Sequence, residues 1–216
     1  MASYDYDIGI IGGGAAGLTV ASGAAQLGAK TLLIEKEPAL GGDCLHYGCV
    51  PSKTLIRSAH VYHDMKHADR FGLPKVALPP VDFSRIAKRI QDVIAVIQKH
   101  DSEERFCSLG AKVLFGEAVF QDEHTVDMDG KVYTAKNWVI ATGSSPAAPP
   151  IPGLADTPYL TNKEIFSLES LPESIIVLGG GPIGIEMAQA FNRLGSTISV
   201  VDQADQILGK EDGDMA

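Results

Sequence analysis

Two cysteines close together in the chain have the residue type and spacing best suited to chemistry. Cys44 and Cys49 lie in the stretch GGDCLHYGCVPSK, residues 41–53, with four residues between them. A disulfide could close this small loop if the backbone brings the two Cα atoms to about 5.5 Å. Pro51 is compatible with the first turn of a helix, so we expect a helix to begin near it and to include Lys53. A thiol at a helix N-terminus lies at the positive end of the helix dipole, which favours the thiolate.

The cysteine spacing alone leaves other interpretations open. The pair could be two small buried apolar residues, or half of a zinc site that needs two further ligands. Zinc sites usually show a tighter C-x2-C spacing and a second pair elsewhere. The remaining cysteine, Cys107, falls in an expected helix, where we expect it to pack in the core. No metal site is therefore predicted, and a redox pair remains one of the open interpretations.

Residues 6–36 predict a strand, a glycine-rich turn, an alanine-rich helix and a second strand. The predicted strands are Ile8–Ile11 and Thr31–Ile34, and the helix ends near Gln26. The turn GGGAAG has the G-x-G-x-x-G glycines, which are Gly12, Gly14 and Gly17. The first two permit a tight turn against a pyrophosphate, and the third lets the helix pack on the strand. With Glu35 placed to accept from a ribose hydroxyl, the pattern predicts a dinucleotide site.

The same pattern recurs in residues 175–202. Its glycines are Gly179, Gly181 and Gly184, and its acidic residue is Asp202. The interval from Gly12 to Glu35 is 23 positions, and the interval from Gly179 to Asp202 is also 23. A Leu-Gly pair follows each predicted helix at the same offset, at 27–28 and at 194–195. The chain therefore predicts two separate dinucleotide sites.

The stretch GGDCLHYGCVPSK closely resembles the active-site signature of the pyridine nucleotide-disulfide oxidoreductases, the family of dihydrolipoamide dehydrogenase, glutathione reductase and mercuric reductase. The resemblance implies that Cys44 exchanges with the substrate and that Cys49 is the flavin-facing thiolate. Lys53 would be the cation near the reactive nitrogen of the flavin. The sequence departs from the family pattern at three positions, which are Asp43 for threonine, His46 for asparagine, and Tyr47. Asp43 places a carboxylate close to where a pyrophosphate is expected.

The resemblance also assigns the cofactors, FAD to the first glycine motif and NAD(P) to the second. GEAVF at 116–120 and ATGSSP at 141–146 resemble further FAD motifs. The implied FAD contacts are Gly12, Gly14, Ala16, Gly17, Glu35, Lys36, Gly42, Asp43, Lys53, Glu117, Ala118, Ala141, Thr142, Gly143 and Ser144. The implied NAD(P) contacts are Gly179, Gly181, Gly184 and Asp202. Because Asp202 can bond a 2′-hydroxyl but repels a 2′-phosphate, NADH is favoured over NADPH.

Two residues near the second motif bear on the active site. Glu186 matches a family glutamate that pairs with the active-site lysine, although it could also be an ordinary exposed helix carboxylate. Position 182, often an aromatic gate in the family, is Pro182 here. We therefore expect a more open nicotinamide pocket.

The segments between the motifs predict structural elements and no further site. His60, His63 and His67 share one face of a predicted helix, which we interpret as a solvated face. An apolar stripe of helical period runs from Phe83 to Ile97, with Gly110 as the expected stop. A strand is expected over 113–120, a hairpin turns at Asp129-Gly130, and a further strand covers 138–140. The proline-rich segment 146–153 reads as a connector.

Composition excludes several classes of protein. With 216 residues and a net charge of −9, the chain is unsuited to nucleic acid or anionic membranes as partners. The N-terminus MASYDYD has no basic residue before its apolar run, so neither a signal peptide nor a membrane span is expected. Three cysteines make no disulfide framework, and a redox pair fits a reducing, cytoplasmic compartment.

The predicted fold class is α/β, with an FAD-binding Rossmann-like domain followed by the start of a second Rossmann-like NAD(P)-binding domain. The expected divisions are 1–147 for FAD, 148–172 for the connector and 173–216 for the partial second domain. The resemblance implies an enzyme that passes electrons from NAD(P)H through FAD to a Cys44–Cys49 disulfide, most similar to mercuric reductase, with dihydrolipoamide dehydrogenase as the alternative. Its substrate would be a small disulfide, dithiol or metal ion. Family chains continue past this length and form homodimers, so we expect a truncated chain that could be only a nucleotide-binding fragment.

Overall fold

The computed structural model describes residues 3–214 and has an α/β fold. It forms two compact units. The first unit combines the chain up to Val50 with residues 93–163, and the second combines residues 51–92 with the chain from Glu164 onward. The domain boundaries expected after residues 147 and 172 stay a prediction.

Within residues 3–214, six α-helices and eight strands position the residues of interest. The helices are α1 Ala15–Gln26, α2 Gly42–His46, α3 Cys49–Lys66, α4 Phe83–Gln98, α5 Glu103–Ser108 and α6 Pro182–Leu194. The strands are β1 Tyr6–Ile11, β2 Thr31–Glu35, β3 Ala111–Phe115, β4 Val119–Phe120, β5 Thr125–Met128, β6 Lys131–Ile140, β7 Ser174–Leu178 and β8 Thr197–Val201.

A six-stranded sheet in the order β3-β2-β1-β6-β5-β4 organises the first unit. β1 pairs in parallel with β2 and β6, and β2 pairs in parallel with β3. β4, β5 and the first half of β6 form an antiparallel extension. Since β1, β2, β3 and β6 are parallel, their carboxyl ends meet at one edge of the sheet. Ligands of open α/β sheets bind outside that edge.

The core of the first unit lies on both faces of β2, which is buried along its whole length. One face packs Ile10, Leu18, Leu33, Leu40, Phe106 and Val113 together. The other face packs Leu32, Ile34, Val126, Met128 and Tyr133. Each fully buried side chain of this size contributes about 1.5–3 kcal/mol. The edge that carries the glycine turn is therefore held by a well-packed sheet.

The second unit contains a parallel pair of strands, β7 and β8, joined by α6. Pro182 is the first residue of α6, where its missing N–H costs no helical bond. The buried side of α6 includes Met187, Phe191 and Leu194. The Phe191 ring stacks on that of Phe83, with 5.8 Å between centroids. In the described residues, no helix is long and apolar enough to cross a membrane.

Two predicted helical features need correction. The helix expected to run to Gly110 is divided, because α4 ends at Gln98 and α5 begins after Ser102. The Ser102 hydroxyl caps α5 by accepting from the Arg105 N–H at 3.3 Å. Cys107 is exposed and so lies outside the core, whereas its neighbour Phe106 is buried. Phe106 is the larger apolar side chain, so its burial stabilises α5 more.

The strand prediction for residues 113–120 is wrong in its continuity, while the hairpin prediction is confirmed. β3 and β4 are separated at Gly116, whose N–H donates to the Glu35 carbonyl at 2.8 Å. Asp129 and Gly130 both have positive φ, 55° and 77°, as a type I′ hairpin turn requires. The strand expected at 138–140 is the end of the longer β6.

Candidate active site

The first glycine turn joins β1 to α1 through close backbone contacts. Gly12 has a φ of 106°, and a Cβ there would lie 2.3 Å from the Ala141 carbonyl oxygen. A Cβ on Gly17 would lie 1.8 Å from the Gly12 carbonyl oxygen. Gly14 caps α1 and faces Gly42, on which a Cβ would come within 2.7 Å of the Gly14 Cα. Gly12, Gly17 and Gly42 have no room for a side chain, so the turn, the start of α2 and the end of β6 lie together.

Glu35, at the end of β2, ties this turn to the sheet. Its buried carboxylate accepts the N–H of Gly13 and, at 2.8 Å, the N–H of Glu37. Carboxylate oxygens can accept further bonds, so ribose hydroxyls could still donate to Glu35. Its predicted ribose contact stays a prediction.

The other residues expected at the FAD site follow the same sheet edge. Ala16 lies in the first turn of α1 and Lys36 directly follows β2. Glu117 and Ala118 follow β3, which is the parallel neighbour of β2. The segment after β6 contains Ala141, Thr142, Gly143 and Ser144. The Ala141 N–H donates to the Ile11 carbonyl at 2.8 Å, which holds this segment beside the glycine turn.

The two cysteines lie at the ends of a short connection between helices. Cys44 is half-buried in α2, and Cys49 is exposed as the first residue of α3, slightly earlier than expected. Gly41 precedes α2 with a φ of 115°, and its N–H donates to the Gly13 carbonyl at 2.8 Å. Both cysteines are thiols in this structure. A side-chain hydrogen bond with Cys49 raises the pKa of Cys44, and burial acts in the same direction.

The surroundings of Cys44 include groups that the sequence did not indicate. The Leu40 carbonyl lies 3.0 Å from His46 Nε2 and accepts from Gln98 Nε2 at 3.0 Å. Gln98 also donates to the Asp101 carbonyl at 2.9 Å, which places the turn after α4 beside α2. Burial raises the pKa of the Asp101 carboxyl, although nearby basic groups oppose this. The Asp101 charge in turn raises the pKa of Cys44.

Asn162 and Lys163 are further neighbours of α2 that sequence analysis missed. Asn162 Nδ2 donates to the Tyr47 carbonyl at 3.2 Å and lies 3.5 Å from Asp43 Oδ2. Lys163 Nζ lies 5.9 Å from the centroid of the Tyr47 ring. The contacts of Asn162 span 115 and 119 positions, so local patterns carry no signal for them. The one sequence signal for these contacts was that Asp43 and Tyr47, which Asn162 contacts, both depart from the family pattern.

In the second unit, Lys53 and Glu186 form an ion pair in which Nζ contacts both carboxylate oxygens. The side chains are 58% and 42% exposed, so the pair contributes little stability. Glu186 is thus a partnered residue of α6, unlike an ordinary solvated carboxylate. The role of Lys53 toward a flavin stays a prediction.

The second glycine turn, between β7 and α6, repeats the geometry of the first. Gly181 caps α6, and a Cβ on Gly184 would lie 2.2 Å from the Gly179 carbonyl oxygen. Asp202 accepts the N–H groups of Gly180 and Ala204. These two bonds, Ala204 first, hold the pKa of the exposed Asp202 carboxyl below its usual range. Its predicted nucleotide contact is untested.

His60 and His63 lie in α3, and His67 directly follows its last residue, Lys66. Among residues 3–214, no group of three or more potential ligands is close enough to hold a metal ion. His60 is exposed, while His63 and His67 are half-buried, and their rings lie tilted with 4.2 Å between centroids. Burial lowers the pKa of His63, and the neighbouring His67 and Arg193 lower it further.

Comparison with known proteins identifies the family of this chain. Residues 6–216 match the family described as pyridine nucleotide-disulphide oxidoreductase. A mercuric reductase of Bacillus cereus is 36% identical over 214 residues, covering 99% of this chain and 34% of that protein. A dihydrolipoyl dehydrogenase of Acholeplasma laidlawii is also 36% identical, covering 99% of this chain and 64% of that protein.

A solved structure shows the same fold. The HOCl-induced flavoprotein disulfide reductase RclA from Escherichia coli is 30% identical with a TM-score of 0.82, covering 97% of this chain and 45% of that one. The chain therefore spans between about a third and two thirds of the length of these relatives. A family match over nearly all of its residues shows that the chain belongs to the pyridine nucleotide-disulphide oxidoreductases.

Proposed function

We propose that this chain supplies the flavin-binding and dithiol part of an enzyme that passes electrons from NAD(P)H through FAD to a Cys44–Cys49 disulfide. The observation that carries the proposal is the side-chain hydrogen bond between the two thiols. Cys44 lies on α2, which begins next to the Gly41–Gly13 hydrogen bond, and Cys49 is the first residue of α3. Such a pair can close to a disulfide by losing two electrons and two protons.

The first unit fits a dinucleotide such as FAD. Gly12, Gly14 and Gly42 leave backbone without side chains at the sheet edge where such ligands bind. Helix α1 also directs its first N–H groups toward that edge, where a pyrophosphate is favoured. When bound, FAD would supply hydride acceptance from the nicotinamide and two-electron transfer to the disulfide.

The two thiols would then have different tasks. Because hydrogen bonding and burial raise the pKa of Cys44, it stays protonated at neutral pH until a base removes the proton. It would then attack the substrate sulfur or bind the substrate metal ion. Cys49, the first residue of α3, would be the sulfur that faces the flavin, as the family resemblance implies. Lys53, held by Glu186, would act electrostatically.

Mercuric ion is the substrate that we propose first. The segment EMAQAFNRLGS in α6 looks closest to mercuric reductases, and relatives of that name are among the most similar. Dihydrolipoamide is the second candidate, because other similar relatives are dihydrolipoyl dehydrogenases. The sequence VPSK argues against glutathione reductase. The whole protein would act as a homodimer.

NADH is the proposed reductant. Asp202 is an exposed carboxylate at the acidic position of the second motif, and it would repel a 2′-phosphate. Residues 203–216 contain one basic side chain, that of Lys210. Titration of the chain with NADH and NADPH, followed by nicotinamide fluorescence, would test this preference. Tighter binding of NADPH would contradict it.

A visible absorption spectrum tests the central proposal. The purified chain is incubated with FAD, desalted, and measured before and after dithiothreitol. Bound FAD gives a yellow protein, and reduction of the thiols adds absorption at longer wavelength when a Cys49 thiolate lies against the flavin. Cys49→Ser should remove that added absorption and leave the yellow colour, whereas Cys107→Ser should change neither.

The same experiment tests the alternative of a nucleotide-binding fragment without thiol chemistry. A yellow protein whose spectrum is identical in wild type and Cys49→Ser would support that alternative. A chain that stays colourless with FAD would contradict cofactor binding by these residues alone.

A further inference from the structure

Asn162 contacts both ends of α2, the helix that carries Cys44. Its Nδ2 donates to the carbonyl of Tyr47, the C-cap of α2, at 3.2 Å. The same nitrogen lies 3.5 Å from Oδ2 of Asp43, in the first turn. The adjacent Lys163 places its Nζ 5.9 Å from the Tyr47 ring centroid. Residues 162 and 163 therefore hold α2 from a distant part of the chain.

The orientation of the Asn162 amide follows from the chemistry of its partners. A carboxylate and a carbonyl oxygen only accept hydrogen bonds, so the NH2 group must face both of them. The Asn162 Oδ1 is buried and has no hydrogen-bond partner in the part of the chain that the structure describes. An unpaired buried acceptor costs free energy. The contacts with α2 offset that cost.

The Tyr47 carbonyl is a sensitive point for the two thiols. Only Gly48 separates Tyr47 from Cys49, and Cys44 lies within α2. The bond from Asn162 therefore fixes the backbone between the two sulfurs. Fixing it raises the effective concentration of one thiol at the other, because the reacting groups are held in place before reaction.

We propose that Asn162 is a positioning residue for the dithiol, holding α2 so that Cys44 and Cys49 stay within disulfide-forming reach. The inference rests on the redox role proposed for the pair. In the step concerned, the two S–H bonds break and one S–S bond forms. The two electrons and two protons pass to an external disulfide, which becomes two thiols.

The test is the equilibrium constant for disulfide formation. The full chain carrying Cys107→Ser is equilibrated with oxidised and reduced dithiothreitol, and the exchange is stopped with acid. Free thiols are then alkylated, and mass spectrometry measures the ratio of the disulfide form to the alkylated dithiol form. Asn162→Asp keeps the size of the side chain but cannot donate, and it adds repulsion toward Asp43. The constant should fall about five- to tenfold, as expected for the loss of such a hydrogen bond.

Two further variants separate positioning from a general effect. Asn192→Asp is the matched control, because Asn192 Nδ2 donates to the Ser196 carbonyl at 3.4 Å in the second unit. It should leave the constant unchanged. Adding Asp43→Asn to Asn162→Asp removes the repulsion and returns a donor, so part of the loss should be recovered.

The outcomes distinguish this inference from the proposed function. An unchanged constant in a folded Asn162→Asp variant would overturn the positioning role while leaving the redox pair intact. A wild-type chain that forms no Cys44–Cys49 disulfide at any ratio would overturn both. If Asn162→Asp does not fold, Asn162→Ala and Lys163→Ala take its place, with expected decreases of about fivefold and twofold.

Discussion

The two strand-turn-helix-strand motifs share their local geometry but differ in burial. In each motif, the acidic residue lies 23 positions after the first glycine and accepts the N–H of the residue that follows that glycine. Glu35 accepts from Gly13, and Asp202 accepts from Gly180. β2 is buried along its whole length, whereas β8 is mostly exposed. Glu35 is buried and Asp202 is exposed. The turn is therefore set by the motif itself, while burial depends on the strands and helices around it.

Replacing the third glycine of each motif should cause the largest loss of unfolding free energy. Gly17→Ala places a Cβ 1.8 Å from the Gly12 carbonyl oxygen, and Gly184→Ala places one 2.2 Å from that of Gly179. Backbone must move in both, so each change should cost about 3 kcal/mol of unfolding free energy, the first more than the second. Urea denaturation followed by circular dichroism measures it.

Gly23→Ala is the control for this comparison. Gly23 lies in α1, and apart from its chain neighbours and the backbone of α1, no atom lies within 4 Å of the position where its Cβ would be. Alanine should stabilise that helix by about 0.5–1 kcal/mol. Equal, small effects of all three substitutions would show that neither turn needs its close backbone contact.

Replacing the acidic residue of each motif by its amide should give the next largest loss of unfolding free energy, and the loss should differ between the two motifs. The Glu35 carboxylate accepts hydrogen bonds from two N–H groups, and Glu35→Gln would turn an NH2 donor toward one of them. Because the site is buried, the change should lower the free energy of unfolding by about 1–3 kcal/mol. Asp202→Asn makes the same change where water can compensate, and its loss should be smaller. Urea denaturation of both variants checks this. An equal loss would contradict the link between burial and cost.

The pH dependence of Asp202 gives a smaller, directional effect. Hydrogen bonds from Ala204 and Gly180 hold the pKa of Asp202 below its ordinary value of 3.8. Its contribution to stability is therefore complete above pH 3.8 and is lost as pH falls through the lower, folded-state pKa. Unfolding midpoints of wild type and Asp202→Asn should converge over that range. A constant difference between the two midpoints at every pH would contradict the assigned role of the Asp202 carboxylate.

The ion pair on α6 should give the smallest effect. α1 has no charged residue, whereas α6 carries Glu186, bonded to Lys53. Because both side chains are largely exposed, Glu186→Gln should cost less than about 1 kcal/mol. Thermal melts at low and at 1 M salt measure this, and the difference should vanish at high salt. A larger, salt-independent loss would mean that the pair is more than a surface contact.

Local patterns predicted most of the fold. The two glycine motifs, the helices after them and the Asp129-Gly130 hairpin follow from turn residues and apolar period, and all are present. The break between α4 and α5 was missed, because the apolar stripe hides the Ser102 cap. The position of Cys107 was wrong for a similar reason, since period alone did not separate it from Phe106.

The site was predictable only in its local parts. The thiol pair and the lysine follow from one short stretch of sequence, and the partner of Lys53 was suggested by family resemblance. Asn162 and Gln98 were not predicted, because an ordinary amide side chain gives no sign of which distant carbonyl it will meet. Their contacts arise from tertiary folding, which brings separate segments of the chain beside α2.

The hydrogen bond from the Gly41 N–H to the Gly13 carbonyl has a thermodynamic consequence. It connects the start of the thiol helix to the turn that would receive a pyrophosphate. If thiol reduction changes the binding free energy of a dinucleotide through this bond, dinucleotide binding must change the free energy of thiol reduction by the same amount. In such a linkage, a dinucleotide that binds the dithiol form more tightly than the disulfide form would raise the midpoint potential of the thiols.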